Sequence, residues 1–276
     1  MLIDTHAHLD FPDFAPDLED VIARATDAGV TTIVAMSTRL ETAAGAIRLA
    51  EKFPNVWAAV GIHPLEVGDA PPDTIDQLRK LEKHPRVVCI GEIGLDYFNL
   101  DADPSRAAAT KARQAELFQQ QLELAAELGR NVVLHLREQF YPELWADSLR
   151  ILKPFTGRLR AVCHCFKGKP EQVTELTDMG HLVSFTGFVT YPEMPQISAT
   201  AAAIASSAFM LETDCPFMRP PPDTEGRCEP AFLRQIAEHV AQLRGVSVEA
   251  LAEETSATAR AFFGLPPEAG VPPPLV

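Results

Sequence analysis

Eight short apolar runs recur along this chain of 276 residues, and stretches of helical character separate them. The runs are LIDTHAHL (2–9), TTIVAM (31–36), VWAAVGI (56–62), RVVCIGEIG (86–94), NVVLHL (131–136), RAVCHCF (160–166), HLVSFTG (181–187) and FMLETD (209–214). They are short, apolar and mostly β-rich, and read as strands. Between them lie amphipathic stretches such as 17–29, 41–53 and 113–129, two of which stop at Gly29 and Gly129, as expected just past a helix C-terminus. Near-continuous apolar strands alternating with helices predict a parallel sheet covered on both faces. Eight repeats predict closure into a (β/α)8 barrel, a TIM barrel within the α/β class. An open doubly wound sheet is the alternative, but the GxGxxG expected of its first turn is absent. The barrel is predicted to span 1–263 as one domain, with two further helices near 229–243 and 247–263. The proline-rich tail 264–276 is expected to be an extended or disordered end.

Barrel closure gives meaning to six residues otherwise scattered over the sequence: His6, His8, Glu92, His135, His164 and Asp214. Each falls toward the C-terminal end of a predicted strand, and those ends converge on one face of a barrel. His6 and His8 are two apart, so both point the same way. Glu92 is a carboxylate in an apolar run, costly there unless paired or metal-bound. Four imidazoles and two carboxylates suffice for two divalent ions, with Glu92 bridging ions roughly 3.5–4 Å apart. His6, His8 and Asp214 would hold one ion, and His135 with His164 the other. Asp214, at the end of the last strand, would also accept the proton of an attacking water.

A pair of ions in an open site points to hydrolysis, and imidazole-rich ligands suit Zn, Mn, Ni or Co better than Mg. His63, after the third strand, is a candidate for contacting substrate or fixing its own turn. Asp4 is a candidate for orienting a histidine, Asp96 for fixing a loop, and Glu212 for a structural role. Arg137, Lys167, Lys169, Arg219 and Arg227 follow strand ends and could meet an anionic substrate. Two doubly charged ions against Glu92 and Asp214 leave about +2 by formal count. That local field matters because the net charge is −14, which disfavours a bulk electrostatic attraction to nucleic acid.

Strand parity turns Cys163 and Cys165 away from His164, toward the helices. The five cysteines contain no CxxC, which argues against a disulfide framework and fits a reduced, cytoplasmic setting. No apolar run approaches the ~18 residues of a membrane span, and no basic-then-apolar leader opens the chain. A monomer is the expectation.

The ordered set DTHAHLD, GIHP, GEIGLDY, VVLHLR, HCF and ETDCP resembles the TatD family of metal-dependent hydrolases and deoxyribonucleases, over residues 2 to about 263. The resemblance implies a TIM barrel of the amidohydrolase type, a dinuclear centre and phosphodiester hydrolysis, foremost of DNA and of exonuclease type. The family's metal positions fall on the six residues above. It leaves Mg open as the native ion. This chain departs from the family pattern at Lys167, at the run Arg227–Pro230 and in the segment 99–114, all expected in loops over the mouth. A lactone, amide or aminoacyl-ester hydrolase on the same ligands is the alternative function, and a non-catalytic metal-binding protein a second.

Overall fold

The computed structural model describes residues 1–138 and 142–267. Its eight strands are β1 (Leu2–Ala7), β2 (Val30–Ala35), β3 (Val56–Val60), β4 (Val87–Asp96), β5 (Val132–Arg137), β6 (Ala161–Cys163), β7 (Leu182–Phe185) and β8 (Phe209–Leu211). They pair in parallel and in sequence order. Helices α1 (Leu18–Asp27), α2 (Leu40–Lys52), α3 (Thr74–Leu81), α4 (Pro104–Leu128), α5 (Glu143–Leu152), α6 (Pro170–Asp178) and α7 (Pro195–Ala203) fill the crossovers. Helices α8 (Leu233–Arg244) and α9 (Val248–Phe263) follow the last strand.

The strands sort their side chains into two apolar layers. Ile3, Val34, Ala59, Cys89, Val133, Val162, Leu182 and Met210, one from each strand, fill the barrel interior. Phe262, Phe263 and Leu265, at and beyond the end of α9, belong to the same cluster and plug one end of the barrel. Alternate strand residues such as Ile33, Ala58, Ile90, Leu134 and Cys163 pack with the helices. Two positions beyond the interior residues Val133, Val162, Leu182 and Met210 stand His135, His164, Ser184 and Glu212. The interior therefore changes from apolar to polar in one step of strand period toward the C-terminal mouth.

The ring closes between β8 and β1 in an unusual manner. β8 ends at Leu211, and the ladder is completed by the residues after it. Asp214 N donates to His6 O at 2.8 Å, and His8 N donates to Cys215 O at 2.9 Å. Asp4 ties the same seam from the side: its carboxyl accepts from Thr213 N at 2.9 Å and from Thr213 Oγ1 at 2.6 Å. Asp4 thus joins two strands instead of orienting an imidazole ring.

Three expectations change. The sixth and eighth strands are shorter than 160–166 and 209–214, because Cys165 and Asp214 adopt φ of 47° and 53° and take the chain out of the ladder. Residues 104–114 are the first turns of α4, not loop; Asp103 caps them by accepting from Ser105 N at 2.9 Å and Arg106 N at 3.0 Å. Of the predicted tail, Gly264 ends α9 in the left-handed region and Leu265 is buried in the plug. Residues 268–276 lie outside those described.

Candidate metal centre

His6 and His8 project from β1 with their Nε2 atoms 3.2 Å apart. The parity argument therefore holds, although the register of β1 against β2 shifts between Asp4 and Ala7. A similar shift in β4 between Ile90 and Ile93 adds a residue around Glu92. Bulges of this kind re-aim a side chain beside a site. Gly94 then lets β4 pass close to β5: a Cβ there would stand 2.1 Å from His135 O.

Glu92 is buried and its two oxygens face different ways. Oε2 lies 3.4 Å from His6 Nε2 and 3.6 Å from His8 Nε2. Oε1 lies 2.8 Å from both His135 Nδ1 and His164 Nε2. Asp214 Oδ1 completes the first group, 3.5 Å from His6 Nε2 and 3.3 Å from His8 Nε2.

These distances test whether the residues fit a metal ion. A tetrahedral site with ligands about 2.1 Å from the ion has edges of roughly 3.4 Å. The five edges given for His6, His8, Asp214 and Glu92 Oε2 run from 3.2 to 3.6 Å. The second group is tighter, with His135 Nδ1 3.2 Å from His164 Nε2 and both at hydrogen-bond distance from Glu92. Two imidazole nitrogens facing each other and two carboxylate oxygens make a surplus of acceptors that a cation satisfies. The residues fit a pair of divalent ions with Glu92 between them.

Two carboxyl groups support this set from outside it. Asp96 Oδ2 accepts from His135 Nε2 at 2.9 Å, while its Oδ1 accepts from Phe98 N at 2.9 Å. Glu212 Oε1 lies 3.5 Å from His164 Nδ1 and accepts from Cys165 N at 2.7 Å; Ser184 Oγ donates to Oε2 at 2.7 Å. A carboxylate on the far nitrogen fixes an imidazole's tautomer and aim. Sequence reasoning kept both residues for loop or structural work, which they also do. Parity places Glu212 on the inner face, two beyond Met210 and two before Asp214, but does not show which ring it meets, and the register shift in β4 removes even that signal for Asp96.

Their presence alters the charge count. With Asp96 and Glu212 included, two doubly charged ions bring the centre to about zero by formal count, not +2. Any attraction for an anionic ligand would then fall to cations at the rim.

The electrostatics of the metal-free cluster follow from burial and proximity. Burial would raise the Glu92 carboxyl, but His164, His63, His6 and the His135 bond outweigh it and hold it well below the usual carboxylate range. Burial would lower His164, yet Glu92 and Glu212 hold it well above the ordinary imidazole value. His135 is likewise raised, against burial, by Asp96 and Glu92. His63 is pushed down to about 3 by burial and by His135.

The centre opens into a cavity of about 410 Å³, and His63, Arg137 and Lys167 line it. Of the two roles considered for His63, the structure shows the turn contact: Nδ1 accepts from Leu65 N at 3.1 Å, while Nε2 lies 3.6 Å from Glu92 Oε1. Arg227 is placed otherwise. Its guanidinium holds Asp17 through two bonds of 2.8 Å and lies over the Phe14 ring, which pins the loop before α8 to the start of α1. It is not among the cavity's lining residues, and neither are Arg219, paired with Asp223, and Lys169. Cys163 packs with the helices as parity requires. Cys165 does not: it lines the cavity, with Sγ 3.4 Å from Met218 Sδ. The strand has ended at Cys163, so its alternation no longer governs Cys165.

The model of the TatD related DNase family matches residues 3–264. An uncharacterized metal-dependent hydrolase of Bacillus subtilis, YabD, is 33% identical over 264 residues, covering 95% of this chain and 99% of its own. The 3'-5' ssDNA/RNA exonuclease TatD of Salmonella typhimurium is 33% identical over 272 residues, covering 95% and 98%. Among solved structures, the TatD homologue YjjV of Escherichia coli K12 superposes with a TM-score of 0.85 at 29% identity, covering 96% of this chain and 98% of that one. With this barrel and these matches along nearly its whole length, the chain belongs to the TatD-related family of metal-dependent hydrolases.

Proposed function

We propose that this protein is a divalent-metal-dependent exonuclease that hydrolyses phosphodiester bonds at the end of a DNA strand. The observation that carries the reading is Glu92, whose two oxygens face two separate histidine groups at the floor of an open cavity. His6, His8 and Asp214 would hold one ion, His135 and His164 the other, and Glu92 both. Bound ions of this kind acidify water and polarise a phosphoryl oxygen. Zn, Mn, Ni or Co suits the imidazole-rich set, and Mg is the further candidate. The exonuclease name of the Salmonella relative supports a nucleic-acid substrate and includes RNA.

The chain's own groups have distinct tasks in this reading. Asp214 takes the proton of the attacking water. His63 accepts at Nδ1 from Leu65 N, so its proton resides on Nε2, toward the cavity. It donates to a phosphoryl oxygen or the leaving group as a neutral imidazole. Arg137 and Lys167 contact phosphate at the rim. Among the described residues no helix is long and apolar enough to cross a membrane. We place the protein in the cytoplasm, as a monomer.

The test is metal analysis of the purified protein together with a nuclease assay. Single-stranded DNA should be shortened from its end, the activity should vanish with a chelator, and one of the five metals should restore it. Hydrolysis of a lactone or an aminoacyl ester without any cleavage of DNA would overturn the proposal.

A further inference from the structure

Few large apolar side chains are exposed among the described residues, and two of them, Leu65 and Phe217, line the cavity of the metal centre; Phe217 is the aromatic one. Phe217 is 49% exposed and lines the cavity three positions after Asp214. Its backbone N donates to Asp214 O at 3.1 Å, so the ring is tied to a candidate ligand. Phe217 meets Phe11 edge to face, with centroids 5.8 Å apart and planes at 89°. It meets the His8 ring at 6.3 Å and 72°. Phe11 in turn lies 5.0 Å from His8. Edge-to-face contacts hold an aromatic ring in place without covering both of its faces. A large apolar face left in water beside a hydrolytic centre is a binding feature, since burying it again is favourable only when a ligand arrives.

The rest of the rim says what that ligand is. Lys167 stands over the Phe188 ring at 5.0 Å, and Lys167, Phe188 and Arg137 all line the cavity. Cations interleaved with aromatic faces are how sequence-tolerant sites hold single-stranded nucleic acid: phosphates meet the cations and bases stack on the rings. A lactone or a small ester has no use for the cations.

Resting on the phosphodiesterase reading above, we infer that Phe217, braced by Phe11, is the stacking platform for the terminal nucleobase of a single strand, the substrate form already in the Salmonella relative's name. Bases inside a duplex have both faces covered by their neighbours. Only an unpaired end offers a free face beside the bond to be cut. The platform reads a π face and not a base edge, so it is tolerant of sequence.

The experiment compares kcat/KM of the metal-loaded protein on two single strands: one with an ordinary terminal nucleotide, the other with an abasic terminal sugar. The wild type should favour the intact end by about ten-fold, within the range that base–aromatic stacking supplies. Phe217→Ala and Phe217→Leu should bring that ratio near one, chiefly through KM on the intact strand. Phe217→Tyr should keep it. Leucine preserves apolar bulk without a π face, so it decides the matter even if the alanine variant folds poorly. Unchanged discrimination in F217L, or none in the wild type, overturns the platform while leaving the phosphodiesterase reading standing. Failure of the metal-loaded wild type to cleave either strand overturns both.

Discussion

Changing Asp96→Asn isolates the support of one ligand from the ligand itself. Both oxygens of Asp96 accept, one from Phe98 N and the other from His135 Nε2, each at 2.9 Å. An ionised carboxylate only accepts, so the proton of His135 is held on Nε2 and its Nδ1 is left to face Glu92 and His164. Asparagine supplies one acceptor where two are required. Either the loop amide of Phe98 or the ring of His135 loses its partner inside a buried site. An unmet buried donor costs about 1–3 kcal/mol. Converted at 1.4 kcal/mol per decade, the loss amounts to roughly 5- to 150-fold in affinity for the ion held by His135 and His164. This agrees with the 10- to 100-fold cost typical of removing a group that orients a metal-bound histidine. The assay is metal stoichiometry and affinity by competition with a chelator, with circular dichroism as the check on folding. Two ions bound at wild-type affinity would refute the reasoning, because His135 would then be aimed by packing alone.

Asp214→Asn keeps the side-chain size and a residue type tolerant of its φ of 53°; kcat should fall by about 100-fold or more while the His135–His164 group still binds metal, and near-normal turnover would remove Asp214 from proton transfer. Gly94→Ala places a Cβ 2.1 Å from His135 O; β5 must move, so a lower melting temperature and weaker metal binding at His135 are expected, and an unchanged melting curve would contradict the close approach. His181 is buried, accepts from Ala161 N through Nδ1, and is pushed down to about 4 by burial and by Arg160. Its folded value lies below the unfolded one, so its contribution is intact above pH ~6.5 and is lost as pH falls toward 4, where the unfolded state binds the proton first. In metal-free protein, His181→Asn should flatten the decline in stability between pH 6.5 and 4, and an identical decline in both proteins would show that His181 does not cause it.

The ligand set was legible wherever strand period carries the information. His135 and His164 each stand two residues beyond an interior valine, Val133 and Val162, so apolar patterning alone aims them at the mouth. Glu92 was legible as a charge in an apolar run that burial would penalise. Asp96 and Glu212 were not legible as supports, because their contacts cross between strands and depend on register. That register shifts beside Glu92 through a bulge that local patterning does not reveal. Cys165, Lys169, Arg219 and Arg227, which the structure places otherwise than expected, share one cause. Each follows the end of a strand, where alternation stops and the loop path decides direction. The segment 99–114 was expected in a loop, yet Pro104 sits at the first position of α4 behind an aspartate cap, a pattern that marks a helix start.

The junction between the first strand and the last residues of the barrel has a consequence for how the protein comes into being. Asp214 N is bonded to His6 O, so the backbone contact that shuts the ring also seats an acid beside the two histidines. During synthesis the histidine pair emerges well before its partner acid, which lies more than 200 residues downstream. Until then the pair lacks Asp214, and an ion met at that stage would have only part of its ligand set. Once the ring shuts, an ion at His6, His8 and Asp214 would tie the first strand to the residues that follow the last. Withdrawing it should loosen that junction before the rest of the barrel. Amide exchange in Leu2–Ala7 and around Thr213 should therefore quicken on metal removal, while the apolar interior at Val133 and Val162 stays protected.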